Sequence, residues 1–373
     1  MRFTLSSTAL SSKLIALSRV INSKNSLPIL SDFVFEVEGN TLKLTASDSE
    51  NMIKTSVELN ESDEDGSFAI GNHDLLEAVK GFSEQPLTFE VDRSSNLAKI
   101  VYQNGQFSLS IESADEFPQA LQVGEGASTI TIGSDLLGDC INRSIFATAQ
   151  GELRPVMNGL YFDLTPECLS IVATDSQRLV RNKVFAVSSD VPASFILPKK
   201  PATLLKNMLG KDVSEVTIRF DERNAEITFD DCIIICRLIE GRYPNYNAVI
   251  PLNNPNHLTV DRVALLSALR RVQPFASSSN LVRFHIENSV LQLDAEDYDF
   301  SKTATERMAC DYNGLPMSIG FNGSSFIDML SNFECQDIVI QLADPSRSGV
   351  LVPSEQPEGQ DVLMLLMPML LNE

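Results

Sequence analysis

Two cysteines and three histidines are the residues of this chain whose chemistry suits metal binding. Cys232 and Cys236 would share one face of the strand CIIIC, as a pair of metal ligands could. No histidine or further cysteine stands near them, and none of the six cysteines belongs to a C-x-x-C pair. His73, His257 and His285 are too scattered for an H-E-x-x-H or similar site. The sequence therefore predicts reduced, mostly buried thiols, no metal and no cofactor.

Asp175, in the stretch Ser170–Arg181, is the carboxylate that could act as a general base. It stands at a polar break between two strand-like runs, where an aspartate usually forms a turn. No phosphate-cradling glycine loop and no G-x-S-x-G motif occurs in the sequence. A turn is therefore the favoured role of Asp175, and no catalytic constellation is left.

The stretch around Asp175 belongs to a sequence motif that occurs three times along the chain. Leu44–Glu50 is a similar phrase, and its Asp48 lies 127 residues before Asp175. A looser copy, Leu291–Phe300, follows about 120 residues later. The strands SFAI and SFIL, which begin at Ser67 and Ser194, repeat at the same offset of 127. One supersecondary unit thus recurs, which predicts a repeated architecture.

Each repeat has the pattern helix, strands, helix, strands over about 125 residues. The first helix is predicted from the apolar stripe Leu10, Leu14, Leu17 and Ile21. Helices separated by several strands, without strict βαβ alternation, indicate an α+β fold with antiparallel sheets. We expect domains over residues 1–124, 127–252 and 253–373.

Composition places the chain among globular proteins. Its 373 residues are 43% hydrophobic, and no apolar run approaches the roughly 20 residues that span a bilayer. The N-terminus lacks the continuous apolar segment of a signal peptide, so we expect a cytoplasmic protein. The formal charge of −21 taken alone argues against nucleic-acid binding.

The distribution of charge changes that conclusion. Residues 1–31, 191–211 and 262–286 each contain four lysines or arginines and no acid. A solvated helix face explains any one such segment, but three of them in an acidic chain predict a surface that attracts phosphates. Asn, Gln and aromatic residues do not cluster there, so the contact would be independent of base sequence.

Four motifs carry a resemblance to a known family. VATDSQRL, GRYPNY, LPIL and the terminal MPM, on three repeats, closely resemble the bacterial DNA polymerase III beta subunit family, the sliding clamps. The resemblance implies three domains of the DNA clamp fold, each with two helices packed on antiparallel sheets. It further implies a head-to-tail homodimer, closed as a six-domain ring around double-stranded DNA, without catalytic activity. The implied partners are the replicative polymerase alpha subunit, an ATP-driven clamp loader and other clamp-motif proteins of replication and repair.

The resemblance also implies three sets of site residues. The partner-peptide pocket would use Met157, Thr174, Ser176, Gln177, Arg178, Leu179, Pro244, Ala248, Val249, Ser346, Ser348, Met367, Pro368 and Met369. The DNA contacts would be Lys13, Arg19, Lys24, Arg143, Gln150, Lys199, Lys206 and Arg271. The dimer joint would use Leu109 with Pro274 and Phe275.

The chain departs from the family pattern at three places in the pocket. Gln177 and Ala248 stand where family members carry histidine and arginine, and the tail continues as Leu370-Leu371-Asn372-Glu373. Two alternatives remain open beside the clamp hypothesis. One is an acidic, peptide-binding scaffold that does not encircle DNA. The other is a metabolic enzyme whose site is assembled from scattered residues.

Overall fold

The computed structural model describes residues 1–25, 27–151, 153–210, 213–287 and 289–371. Six α-helices lie within these ranges: α1 (Ser7–Ser18), α2 (Asn72–Val79), α3 (Ser134–Ser144), α4 (Lys199–Met208), α5 (Arg262–Val272) and α6 (Gly323–Ser331). None of the helices in this part of the chain combines the length and apolar character needed to cross a membrane.

The strands follow the repeats predicted from the sequence. Those of the first third are β1 (Arg2–Ser6), β2 (Asp32–Glu38), β3 (Thr41–Ser47), β4 (Asn51–Glu58), β5 (Glu61–Ser62), β6 (Gly66–Gly71), β7 (Pro86–Asp92), β8 (Leu97–Tyr102) and β9 (Gly105–Glu112). The central strands are β10 (Ser128–Gly133), β11 (Gly159–Leu164), β12 (Leu169–Thr174), β13 (Arg178–Val184), β14 (Ala193–Pro198), β15 (Glu215–Phe220), β16 (Asn224–Phe229) and β17 (Cys232–Arg237). The last are β18 (Asn256–Asp261), β19 (Leu281–Glu287), β20 (Val290–Asp297), β21 (Lys302–Ala309), β22 (Asp311–Tyr312), β23 (Met317–Asn322), β24 (Asp337–Leu342), β25 (Gly349–Pro353) and β26 (Gln360–Leu366).

The described chain forms two compact units. The first contains residues 1–135 and 203–238, and one 13-stranded sheet in the order β10-β15-β16-β17-β4-β3-β2-β6-β9-β8-β7-β1-β5. The second contains residues 136–202 and the chain from Ile239 onward. Its sheets are β14-β11-β12-β13-β26-β25-β24-β18-β22 and β21-β20-β19-β23. The strand pairs in all three sheets are antiparallel, which confirms the predicted α+β class.

Every one of the six helices begins at the residue that follows a strand. The strands that lead into them are β1, β6, β10, β14, β18 and β23. Side chains at three of these junctions accept a hydrogen bond from the first helical turn: Ser6 from the N–H of Ala9, Asp261 from Ala264 and Asn322 from Ser325. The strand-to-helix junction is therefore the element that repeats.

The predicted apolar stripe of α1 is correct at three of its four positions. Leu10, Leu14 and Leu17 are fully buried against the sheet of the first unit. The prediction for Ile21 is wrong, because α1 ends at Ser18 and Ile21 lies beyond the helix. Val20, just after the helix, is the buried residue there. A periodic pattern continued past the end of the helix overestimates its length.

Strand β21 is an element that the sequence interpretation missed. It forms one edge of the four-stranded sheet and pairs with β20 over its whole length, from Val290↔Ala309 to Asp297↔Lys302. Ala304, Glu306 and Met308 are half-buried while the residues between them are exposed. This alternation in KTATERMA was the available signal, but five of the eight residues are polar or charged, and Glu306 stands on the half-buried face.

Candidate functional site

The Asp175 turn connects β12 to β13. One oxygen of Asp175, Oδ1, accepts the backbone N–H groups of Gln177 and Arg178, both at 2.9 Å. Ser176 between them has φ of 77°, the left-handed region that such a turn requires. The Asp48 carboxylate accepts two backbone N–H groups in the same way, at 3.0 and 2.7 Å, in the first repeat. The role of Asp175 as a turn former is confirmed.

This turn lies directly beside the C-terminal tail. Strand β13 pairs with β26 so that Arg178 faces Leu366, the last residue of β26. The next residue, Met367, donates its backbone N–H to the carbonyl of Gln177 at 2.8 Å. Gln177 and Met367 are 190 residues apart in the sequence, and both were predicted for the pocket; this backbone hydrogen bond joins them.

Arg178 is held by three neighbours. Its Nε lies 2.9 Å from Asp175 Oδ2, and its Nη1 lies 2.8 Å from Asp328 Oδ2 on α6. Nη2 donates to the carbonyl of Phe146 at 2.9 Å, and the guanidinium lies over the Phe146 ring. Arg178 thus orients the turn against α6, and few of its donors are left for a ligand.

The GRYPNY stretch forms a second wall of the candidate pocket. Tyr243 stacks on Tyr161 with the ring centroids 4.5 Å apart, and Tyr246 donates its hydroxyl to Asp163 at 2.7 Å. Burial raises the pKa of Tyr246 to about 12, so its hydroxyl keeps its proton and remains a donor. Gly241 has φ of 129°, and a Cβ there would lie 2.8 Å from Val156 Cγ1. A glycine is therefore needed where this wall begins.

An apolar cluster lies under both walls. Its buried members are Val172, Leu179, Ile196, Tyr243, Tyr246, Val350, Leu363 and Leu365. Four of the predicted pocket residues are themselves buried: Met157, Thr174, Leu179 and Ser348. The predicted residues with the most accessible surface are Ser176, Gln177, Ala248, Val249, Ser346 and Met367. In the predicted pocket, the buried residues would therefore form the support and the exposed ones the lining.

A buried asparagine supports the loop with the predicted serines. Asn254 donates from Nδ2 to the carbonyls of Gln341 and Ser348, at 2.9 and 3.1 Å. Ser346 is exposed, and its backbone N–H binds the Asp344 carboxylate at 2.9 Å. Sequence inspection did not identify Asn254, because its two acceptors lie 87 and 94 residues further along the chain.

Four predicted DNA contacts belong to the first unit. Lys13 on α1 places its Nζ 2.8 and 2.6 Å from the two carboxylate oxygens of Asp231. Arg19 donates to the carbonyl of Asn207 on α4. The other two have exposed side chains: Lys24 and Lys206. Lys13 therefore carries a positive charge that a neighbouring acid already balances.

The other four predicted DNA contacts belong to the second unit. Arg143 is only 9% exposed, and it donates to Gln360 at 2.8 Å and lies 3.4 Å from Asp139. Arg271 binds both carboxylate oxygens of Glu306 through its Nε, at 2.9 and 3.1 Å. Gln150 is exposed and Lys199 is half-buried. A phosphate contact by Arg143 or Arg271 would have to replace these partners, so their DNA role stays a prediction.

Two of the strands with an open edge in the described chain, β9 and β21, carry or adjoin the residues predicted for the dimer joint. From Gly105 to Ser110, β9 pairs with β8 on one side only, since β6 contacts it at Ile111 and Glu112. Beside it lie the rings of Phe82, Tyr102 and Phe107, with the first two centroids 4.8 Å apart. Leu109, predicted for the dimer joint, is half-buried on this strand.

The second open edge is β21, in the second unit. Arg271 and Glu306 form their ion pair between α5 and this strand. Pro274 and Phe275 follow α5 in a short 3-10 turn, and Phe275 is 39% exposed. Open edges are where a second chain can add strands.

Cys232 and Cys236 lie on β17 and are both buried. Burial raises the pKa of each thiol to about 12, so both remain protonated. Within the described ranges, no three His, Cys, Asp or Glu side chains are arranged to hold a metal ion.

Comparison with known families covers almost the whole chain. Residues 1–122 match the N-terminal domain of the DNA polymerase III beta subunit, residues 131–245 its central domain and residues 247–370 its C-terminal domain. The chain belongs to the DNA polymerase III beta subunit family. The three repeats are therefore three clamp domains of this family, as the motifs predicted.

Individual members of the beta subunit family agree with this assignment. The beta sliding clamp of Pseudomonas aeruginosa is 28% identical, over 99% of this chain and 100% of the relative. That of Escherichia coli K12 is 27% identical over the same shares. The crystal structure of the Pseudomonas aeruginosa beta subunit superimposes with a TM-score of 0.93 at 26% identity, and that of Thermotoga maritima with 0.90 at 25%. Both cover 100% of each chain.

Proposed function

We propose that this chain is a DNA sliding clamp. Two copies close head to tail into a ring of six domains that encircles double-stranded DNA without sequence preference. The ring tethers the replicative polymerase to its template and so gives processivity, and it does no chemistry itself. The observation that carries this proposal is the match of all three domains, in order, to the beta subunit family.

The partners of the clamp bind in the groove between the Asp175 turn, the GRYPNY stretch and the tail. The hydrogen bond from Met367 to Gln177 supports this assignment, because it brings two predicted walls together. Exposed apolar side chains at Val249 and Met367 suit large apolar residues of an extended peptide. The polymerase alpha subunit, the clamp loader and other clamp-motif proteins would compete for this groove.

The open edges of β9 and β21 support ring closure. Each chain carries one open β9 edge and one open β21 edge. In a head-to-tail dimer, β9 of each chain therefore pairs with β21 of the other, which gives two identical joints. Such a joint is heterologous, since it brings two different surfaces together. The ring closes because the second copy completes the rotation. The expected boundaries of the three domains remain 1–124, 127–252 and 253–373.

Topology gives the test of the proposed function. The dimer is loaded onto nicked circular DNA by a clamp loader, separated from free protein by gel filtration, and the circle is then cut once. We expect the clamp to stay on the circle and to leave the linear molecule by sliding off its ends. Equal retention on both forms would contradict the clamp, and no retention on either would favour the peptide-binding scaffold.

The two exposed lysines among the predicted DNA contacts of the first unit should make weak, salt-screened contacts with DNA. We expect Lys24→Ala and Lys206→Ala each to flatten the slope of log K against log salt by about 0.9 for one lost phosphate contact. The measurement is equilibrium binding to a short duplex at a series of salt concentrations. Lys43→Ala is the control, since Lys43 lies on β3 and is paired with Glu38. An effect that depends on the base sequence would contradict the prediction.

Asp231→Asn should have the opposite effect. The substitution leaves Lys13 without the carboxylate that balances its charge, while the amide keeps an oxygen for Thr55, which donates to Asp231 at 3.1 Å. We therefore expect tighter duplex binding and a slope steeper by up to about 0.9. The same salt series measures it, and Lys13→Ala in the Asp231→Asn background should abolish the gain. An unchanged slope would show that Lys13 does not approach DNA.

A further inference from the structure

Gly320 lies on β23, at an edge of the four-stranded sheet. On one side β23 pairs with β19, where Gly320 faces Arg283. On the other side the C-terminal tail forms a single antiparallel bridge, in which Met369 donates its N–H to the carbonyl of Gly320 at 2.8 Å. The tail therefore docks on this strand at one residue.

The absence of a side chain at 320 makes this docking possible. A Cβ on Gly320 would lie 2.8 Å from the carbonyl oxygen of Met369, 2.8 Å from Leu371 Cδ2 and 2.7 Å from Leu281 Cδ1. Real Cβ atoms essentially never approach other heavy atoms closer than 3.0 Å. Two of the three obstructing atoms belong to the tail, and one of these is backbone, so a side chain would displace the tail. Glycine within a strand commonly marks such a close approach of another backbone.

The docked segment is the part of the tail that forms the floor of the groove. Its first residue, Met367, is bound to Gln177, and its last, Met369, to Gly320. Pro368 between them has no N–H to donate, so these two hydrogen bonds hold the tripeptide. Leu371 then packs beside Gly320, whereas Leu370 is 84% exposed. The longer tail of this chain thus carries an apolar side chain that secures the floor.

We propose that Gly320 is a positioning residue for the partner groove, and that Leu371 secures the tail against it. Together they hold Met367–Met369 in place before a peptide arrives, so that binding does not have to order the tail. Gly320 itself does not touch the peptide. The effect on peptide affinity rests on the proposed function, whereas the docking of the tail does not.

Gly320→Val in the full-length dimer tests the proposal with two independent measurements. The first is hydrogen exchange at the amides of Met367 and Met369, which we expect to accelerate at least tenfold. The second is the affinity of a synthetic peptide with one glutamine and two leucines, which we expect to fall by 10- to 100-fold. Sedimentation and circular dichroism should show an unchanged dimer.

Two further variants separate tail release from misfolding. Gly133 lies on β10, which leads into a helix as β23 does, but a Cβ there meets nothing within 4 Å. We therefore expect Gly133→Val to change neither measurement. Leu371→Ala removes the securing side chain without crowding β23, and should accelerate exchange with a smaller loss of affinity.

Each outcome decides one part of the proposal. If the tail amides of Gly320→Val and Leu371→Ala exchange as slowly as those of the unaltered protein, the docking role of both residues is wrong. If exchange accelerates while peptide affinity is unchanged, Gly320 does not position the groove. If the unaltered dimer does not bind the peptide at all, the proposed groove fails, while accelerated exchange still upholds the docking of the tail.

Discussion

We expect removal of Met367 and all later residues to leave a folded dimer that no longer binds partner peptides. The truncation spares β26, which ends at Leu366 and keeps its pairing with β13 and β25. It deletes the floor of the groove, including the residue bound to Gln177. Because Met367 is 41% exposed, its loss takes little from the core.

The expected size of this effect follows from the apolar surface that a peptide buries. Two large apolar side chains contribute about 3–6 kcal/mol before association costs, whereas micromolar affinity needs about 8 kcal/mol, so the glutamine and the peptide backbone must supply the rest through hydrogen bonds. Losing the floor should weaken binding to millimolar or beyond, roughly 1,000-fold or about 4 kcal/mol. Isothermal titration with a synthetic peptide measures it.

A chain that ends after Leu371 is the matched control, because it keeps the floor and the side chain beside Gly320. It should bind the peptide as the full chain does. If the truncation at Leu366 instead lowers the melting temperature sharply, these residues are ordinary core of the third domain. Undiminished peptide binding by that truncation would place the groove elsewhere.

We expect Leu109→Asp and Phe275→Asp each to convert the dimer into monomers that keep their secondary structure. Leu109 lies on the open strand β9 and Phe275 beside the open strand β21, so each substitution places a charge in both joints of the ring. A central residue of an interface is worth about 2 kcal/mol or more. Two joints lose about 4 kcal/mol, which raises the dissociation constant roughly 1,000-fold. Sedimentation equilibrium measures the change.

Mixing the two monomeric variants tests whether the joint is head to tail. In an equimolar mixture, the unaltered Leu109 surface of one chain can meet the unaltered Phe275 surface of the other. We expect an open dimer with a single joint, whereas neither variant dimerises alone. A joint in which Leu109 packs on Leu109 would give no such recovery.

Phe185→Asp is the control for the added charge, since Phe185 is 50% exposed in the central domain. It should remain a dimer. Dimers that persist in both Leu109→Asp and Phe275→Asp would show that the joint uses other residues.

Much of this fold could be predicted from the sequence because its signals are local. The turns at Asp48 and Asp175 depend on hydrogen bonds from residues two and three positions further on. Each repeated stretch therefore contains all the residues that form its turn. The stripe of Leu10, Leu14 and Leu17 depends only on helical periodicity. Such local signals were enough to predict the α+β class, whereas the family was predicted from the resemblance of four motifs.

The tertiary structure decided which distant residues contact each other, and which of the predicted DNA-binding charges already have an ion-pair or hydrogen-bond partner. Lys13 and Asp231 are 218 residues apart, so no local pattern could predict that they form an ion pair. Arg143 has the sequence context of a surface residue, yet it is buried and bound to Gln360, because β26 returns beside its helix. The close contact between Gly320 and Met369 exists only because the tail crosses β23. Sequence determines local geometry, whereas contacts between distant segments depend on how the sheets are ordered, and this order brought the predicted pocket residues Gln177 and Met367 together.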